Sequence, residues 1–336
     1  MMQMSYSAMV DSSVMQKGKP AAAGSKMLEN FISPIDATVV TRLEAAGVSI
    51  VGRADMDEFG AGGLFDGGGT RCAAALIAEN KADFALCNDY TGRISLEAAG
   101  QGICYVHPTY GTVSRYGLIP AAASMDQIGI VCKTPEDGFR ALKIIAGYDA
   151  KDGVMCAEKA KERAAANPEN SAKEAKIVEY KPMYEDCIKQ VMQILCCAEL
   201  SNNISRYDGV KFGYRAKQYN GLHELYTKSR TEAFGEDVKL AALLGAMVLS
   251  HENYAKYYDK AMRIRRLIKD SLIFEKHGDG SCALRCKHGA DSYTSANLLR
   301  ISRLCGLPSV TTPDCTYVAD AEGEGLLEMI CLGGAL

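Results

Sequence analysis

The chain has 336 residues, 48% of them hydrophobic, which is enough to bury a substantial core. Its 38 Lys and Arg against 41 Asp and Glu leave a net charge of −3 and no long basic run, which argues against an electrostatic grip on nucleic acid. No stretch approaches the roughly 20 uninterrupted apolar residues of a membrane helix, and the first ten residues lack the charged and apolar regions of a signal peptide. The 13 scattered cysteines fit reduced thiols acting as small core residues, so a cytoplasmic location is expected.

In chain order, Asp36 is placed to cap a helix whose Val39, Val40, Leu43 and Ala46 share one face, with Gly47 at its end. Residues 48–51 form a β-branched run that reads as a buried strand. Residues 60–69 are a glycine-rich loop without the Lys-Ser ending of a phosphate cradle. A helix from about Cys72 to Ala78 and a buried strand over 84–87 continue the alternation, which argues an α/β sheet flanked by helices. Pro135 opens a helix running to Tyr148. Residues 150–178 read as a variable helical or linker segment, rich in Ala, Lys and Glu over 157–175. Helices follow at 185–201, 237–249 and 252–272. The last carries a core stripe of Tyr254, Tyr257, Tyr258, Ala261, Ile264 and Ile268. His277, Cys282, Cys286 and His288 lie close together, but their spacing matches no familiar zinc finger and reads as a polar loop.

Several strings are specific enough to indicate a family. Residues 25–31 (SKMLENF), 36–40 (DATVV), 56–59 (MDEF), 107–111 (HPTYG), 113–118 (VSRYGL), 126–129 (DQIG), 206–215 (RYDGV and FGYR), 233–239 (AFGEDVK) and 305–308 (CGLP) occur in order along the chain. Together they resemble the amidase-signature family, most closely the A subunits of glutamyl-tRNA(Gln) and aspartyl-tRNA(Asn) amidotransferases. The resemblance implies one amidase-signature domain over residues 1–336, shorter at both ends than the family. It implies a central mixed β-sheet covered by helices on both faces. His107 stands where the family carries lysine, and a surface or pocket-rim position is expected for it.

That family hydrolyses amides with a lysine, a bridging serine and a nucleophilic serine. A serine hydroxyl attacks only after a base takes its proton, and an unprotonated lysine can do so through the bridging serine. Aligned to the family's nucleophile motif, this chain reads Asp89-Tyr90-Thr91-Gly92-Arg93-Ile94-Ser95-Leu96-Glu97-Ala98. Arg93 stands at the nucleophile. A guanidinium stays protonated and cannot attack a carbonyl. The bridging serine aligns with Gly69, followed by Thr70, and the lysine aligns with Asp11. The family's substrate-binding arginine falls in the 237–241 stretch, which reads Asp-Val-Lys-Leu-Ala, and its substrate-binding aspartate falls near Ala296.

The resemblance therefore implies a pseudoenzyme without a cofactor, acting as a binding, scaffold or regulatory subunit. Implied partners are amidotransferase B-like or C-like subunits, or an intact A-type amidase. Because the lysine position became acidic and the serine position basic, Asp11 and Arg93 are expected to pair across the old pocket. Two alternatives stand beside this reading. One is an active amide hydrolase or amidotransferase subunit with rebuilt chemistry, using Ser95 or Thr91 as a displaced nucleophile. The other is a small-anion binder in which Arg93, with Thr70, Ser95 and Asp11 nearby, holds a carboxylate or phosphate.

Overall fold

A computed structural model describes residues 6–65, 73–159, 176–181, 183–272, 282–289 and 292–333. Strand β1 (Ser7–Asp11) lies between β2 (Ser49–Ala54) and β3 (Phe84–Asn88) and runs parallel to both. The sheet continues through β5 (Ile128–Cys132), β4 (Cys104–His107), β8 (Ser309–Thr311), β9 (Cys315–Ala319) and β7 (Cys282–Lys287) to β6 (Lys176–Glu179). These pairings are antiparallel from β3 to β7, and β6 joins β7 in parallel, so one nine-stranded sheet is mixed.

Strands β3, β4 and β5 are buried along their whole length, as expected of a sheet covered on both faces. Alternation then assigns the faces. Ala8, Val10, Phe84, Leu86 and Val106 point toward α1 (Thr38–Ala45), α4 (Pro135–Ile145) and α10 (Glu324–Cys331). Met9, Ala85, Cys87 and Tyr105 point to the other face, under α2 (Ala73–Ala78) and α3 (Arg93–Gly100). A further helical layer holds its own core. It contains α5 (Glu185–Ile204), α6 (Gly221–Ala233), α7 (Glu236–Leu249), α8 (Lys260–Ser271) and α9 (Ser292–Cys305).

Four sequence expectations need correction. Residues 48–51 are not a buried strand: β2 is the sheet's outer strand, and Val51 is 56% exposed. Asp36 does not cap α1, because its carboxylate accepts the Lys17 N–H at 2.7 Å and Ala37 holds the cap position. The predicted helix over 252–272 is interrupted by a π-type turn at Ala255–Asp259 before α8 begins. A π turn holds more residues per turn than an α-helix, so Tyr254 rotates out of the predicted stripe to 46% exposure while Ala261 and Ile268 stay buried. The proposed linker ends in structure, since 176–179 form β6; most of 157–175 lies outside the described residues.

Helices α5 and α7 approach closely at one glycine. A Cβ on Gly245 would sit 2.2 Å from the Cys197 carbonyl oxygen and 2.4 Å from Ser201 Cβ. In an open helix a Gly→Ala change stabilises by up to about 1 kcal/mol. At Gly245 the crowding reverses the sign, and Gly245→Ala is expected to cost about 1–3 kcal/mol in urea unfolding. Gly100→Ala serves as the control, because nothing lies within 4 Å of a Cβ there; it should be neutral or stabilising.

Candidate functional site

The C-terminal end of β3 and the start of α3 form one wall of the site. Asp89 follows β3 and turns its carboxylate onto the free N–H groups of α3. Oδ1 accepts from Ile94 N at 3.0 Å, and Oδ2 accepts from Ser95 N at 3.1 Å and Ser95 Oγ at 2.7 Å. Gly92 makes the turn at φ 82°, a left-handed conformation natural to glycine, and a Cβ there would lie 2.9 Å from Leu299 Cβ.

Arg303, from α9, closes this wall from behind. Its Nη2 donates to Asp89 Oδ2 at 3.0 Å and to Ser95 Oγ at 2.6 Å. Nε donates to the Asp89 carbonyl at 2.9 Å, and Nη1 donates to Ser302 Oγ at 3.1 Å and Ser309 Oγ at 2.8 Å. The ion pair is fully buried, with side-chain exposures of 0% and 1%. Such a pair persists only when its hydrogen-bonding capacity is filled, and every guanidinium nitrogen here is bonded.

Arg93 opens α3 and faces the site. Its Nη1 bonds Asp57 Oδ2 at 2.9 Å, and its Nε bonds Glu97 Oε1 at 2.8 Å. Both Arg93 and Asp11 line one cavity of about 30 Å³, together with Asp55, Asp57, Asp89 and Glu97. They do not pair. Asp11 is 1% exposed and turns instead to its own neighbours. Oδ1 accepts from Ser13 N at 2.9 Å and Ser13 Oγ at 2.5 Å, and Oδ2 accepts from Asn88 N at 2.9 Å. The basic group whose charge acts on it is Arg53, which donates to the Asp11 and Val14 carbonyls. Burial pushes the Asp11 carboxyl above the ordinary aspartate range, against the opposing pull of Ser13, Asn88 and Arg53. The expected Asp11–Arg93 pair is therefore replaced by an Asp57–Arg93–Glu97 clamp. The i,i+4 spacing of Arg93 and Glu97 was a readable signal; nothing in the sequence pointed to Asp57.

Ser95 is 0% exposed, and its hydroxyl is committed to Asp89 and Arg303. It faces the buried pair and has no contact with the cavity, so it is not placed as a displaced nucleophile. Thr91 borders the cavity, and Tyr90 Oη donates to the Phe59 carbonyl at 2.9 Å. Gly69 and Thr70 lie outside the described residues. His107 is not on the surface: it is 2% exposed, lies beside Tyr105, and its Nδ1 has no hydrogen-bond partner. Burial, with the Arg303 charge adding to it, holds its pKa well below 6.5. Cys282 and Cys286 lie on strand β7 rather than in a loop, His288 follows the strand, and His277 lies outside the described residues. His288 is engaged by the Pro313 carbonyl at 3.1 Å and Thr316 Oγ1 at 2.9 Å. No His, Cys, Asp and Glu group among the described residues is arranged to hold a metal.

The family model Amidase matches residues 10–65, 67–177 and 159–274. The chain belongs to the amidase family. It is 33% identical over 358 residues to the A subunit of glutamyl-tRNA(Gln) amidotransferase from Lachnoclostridium phytofermentans, covering 88% of this chain and 72% of that protein. It is 36% identical over 307 residues to the corresponding protein from Chromobacterium violaceum, covering 76% of this chain and 63% of that one. The A subunit of glutamyl-tRNA(Gln) amidotransferase from Thermotoga maritima superposes with a TM-score of 0.68 at 22% identity, over 96% of this chain and 81% of that structure. The native peptide amidase from Stenotrophomonas maltophilia gives 0.70 at 19% identity, over 96% and 81%. Likeness at these identities establishes the fold.

Within this amidase-family chain, the shared strings meet in space. Ser25 Oγ donates to Glu58 Oε1 at 2.5 Å, and Gly235 N donates to Glu58 Oε2 at 2.7 Å. Tyr214 N donates to the Met27 carbonyl at 2.7 Å. Phe59 stacks on Tyr207 at 5.5 Å and meets Phe234 edge-on at 6.3 Å. Arg115 grips Asp152 at 3.0 Å, and Ser114 donates to Asp149 at 2.7 Å. These contacts fasten elements together.

Two measurements test the wall. Arg303→Met leaves Asp89 buried without its cation and is expected to cost about 3–5 kcal/mol in chemical unfolding. The double change Arg303→Met with Asp89→Asn should recover part of that loss. For His107 the sign follows from its depressed folded pKa: below about 6.5 the unfolded chain binds a proton that the folded chain refuses. Stability should therefore fall with pH below about 6.5, by up to about 1.4 kcal/mol per pH unit. His107→Phe is expected to flatten that slope.

Proposed function

We propose that this chain is a catalytically silent amidase-family protein that acts by binding. The observation that carries the proposal is the clamp on Arg93. The residue aligned with the family's nucleophile is a permanently charged guanidinium, held between Asp57 and Glu97. Asp11, aligned with the family's lysine, spends its hydrogen bonds on the Ser13 N–H and hydroxyl and on the Asn88 N–H. The cavity itself, at about 30 Å³, has room for a water or two but not for a substrate amide.

The partner reading rests on the curated relatives, which are subunits by name. It assigns this chain to an assembly with an amidotransferase B-like or C-like subunit, or with an intact A-type amidase. An open apolar stripe supports it. On α7, Leu240, Leu243 and Met247 fall on one face and are 42%, 70% and 42% exposed. Cys104, Cys132, Cys196 and Cys197 are buried thiols, which supports a reducing, cytoplasmic setting. The second reading is an active amidotransferase subunit with rebuilt chemistry, favoured by those relatives' names.

Turnover separates the two readings. Purified chain is expected to release no ammonia from glutamine or simple amides above an enzyme-free blank. Measurable turnover, lost in Thr91→Ala or Ser95→Ala, would establish the active reading instead. Co-purification with B-like or C-like subunits should be weakened by Leu243→Glu; no association in either form removes support for the partner reading.

A further inference from the structure

The chain is slightly acidic overall, at −3, yet residues 255–271 hold six basic residues and two aspartates, a net of +4. Five of those cations, Lys256, Lys260, Arg263, Arg266 and Lys269, are exposed. The sixth, Arg265, points inward. Its Nε donates to the Leu304 carbonyl at 2.5 Å, and its Nη1 and Nη2 donate to Ser124 Oγ at 3.1 Å and to the Ser124 carbonyl at 3.3 Å. Ala261 and Ile268, buried, share that inner side of the helix. These contacts seat α8, so its outer face is held in one orientation. The charges on that face are not alike. Arg263 is paired with Asp259 at 2.9 Å and Arg266 with Asp270 at 2.8 Å, each across one turn. Lys260 and Lys269 have no ion-pair partner among the described residues. Met262 and Leu267 come between these two lysines and are 40% and 54% exposed.

We propose that this face of α8 docks an acidic protein surface with an apolar centre, presented by a partner subunit. Nine residues of helix separate Lys260 from Lys269, a rise of about 13 Å, so the partner offers carboxylates at about that spacing. Apolar side chains between the carboxylates cover Met262 and Leu267. Burial of those two residues supplies attraction, and the lysines supply steering and register. The seated helix loses little freedom on binding, which lowers the cost of association. A nucleic-acid backbone fits this face less well. Guanidinium forks are the groups that suit phosphate, and both exposed forks are already closed by Asp259 and Asp270, whose carboxylates would repel a phosphate. The proposal rests on the partner reading and deepens it, because it names a contact that is charged where the α7 stripe is apolar.

The test measures calorimetric affinity of the full chain for a B-like and a C-like subunit, at low and high salt. Lys260→Glu with Lys269→Glu is compared with Lys17→Glu with Lys81→Glu, which makes the same change of net charge at exposed lysines elsewhere. The α8 pair is expected to lower affinity about tenfold or more and to flatten its salt dependence. The control pair should bind like the unmodified chain. Lys260→Gln with Lys269→Gln, which introduces no repulsion, should show a smaller loss in the same direction, and melting temperatures check that each variant folds. Full-strength association of the folded α8 variants, or association of the unmodified chain that is indifferent to salt, would overturn the docking face and leave the partner reading intact. Tighter binding of a single-stranded RNA oligonucleotide or of phosphatidylserine vesicles than of either subunit, lost in the α8 pair, would assign the face to phosphate and overturn the proposal. No association of any form with either subunit removes the partner reading and this face with it.

Discussion

The site depends on one buried ion pair. Asp89 and Arg303 are removed from water almost completely, at 1% and 0% side-chain exposure, and their mutual bonds join four elements. Asp89 ends β3 and caps α3, while Arg303 comes from α9 and reaches Ser309 on β8. The desolvation cost of such a pair can match its Coulomb attraction, so its contribution is better described as geometry than as net stability. It fixes where α3 begins, and the start of α3 fixes where residue 93 points. That placement comes from Asp89, Gly92, Ser95 and Arg303 and does not depend on the side chain at 93 itself. A serine or an arginine there would be presented to the same wall.

This separation of scaffold from chemistry explains what was legible in the sequence. The strings that marked the family are mostly fasteners. Ser25, Glu58 and Gly235 form one hydrogen-bonded junction, Phe59 packs between Tyr207 and Phe234, and Arg115 holds Asp152. The fold could be read because these residues specify it directly. What failed was context that a local pattern does not carry. The 48–51 run has the composition of a core strand, but its position at the sheet edge is a property of topology. Tyr254 fits a helical stripe until a π turn shifts the phase. Asp36 has the chemistry of a cap, but the Lys17 backbone takes its carboxylate first.

The site was legible in kind and not in detail. A partly buried arginine requires a carboxylate partner, and Arg93 has two. Their identity was beyond a charge-swap argument, because Asp11 is satisfied by the loop that follows it. Ser13 lies two residues on, and its N–H and hydroxyl both reach the same carboxylate oxygen. Local side-chain-to-backbone bonds of this type form with little loss of chain entropy, so they outcompete a partner across the cavity. Asp57 is 36 residues from Arg93, and only the sheet order brings the two together. His107 was misplaced for a related reason. A lysine at the aligned position suggested exposure, but β4 is a central strand and Arg303 lies close enough to disfavour a second cation.

The charge arrangement around Arg93 also bears on whether the old chemistry is recoverable. On the reading that residue 93 stands at the family's nucleophile position, its guanidinium now does a second job. It neutralises Asp57 and Glu97 on a wall shared with Asp11, Asp55 and Asp89. Replacing it with serine removes the only cation among the described residues lining that cavity. The remaining carboxylates would repel one another, and protonation would relieve them at the expense of their present hydrogen bonds. On that reading, a hydroxyl at position 93 alone would not make a relay. The base at position 11 and the charge of the surrounding wall would have to change together, and each of those changes is unfavourable while the others are absent. On that same reading, a fold held by the Asp89–Arg303 pair would tolerate a change at position 93 readily, and the salt bridges to Asp57 and Glu97 would then make the change difficult to reverse.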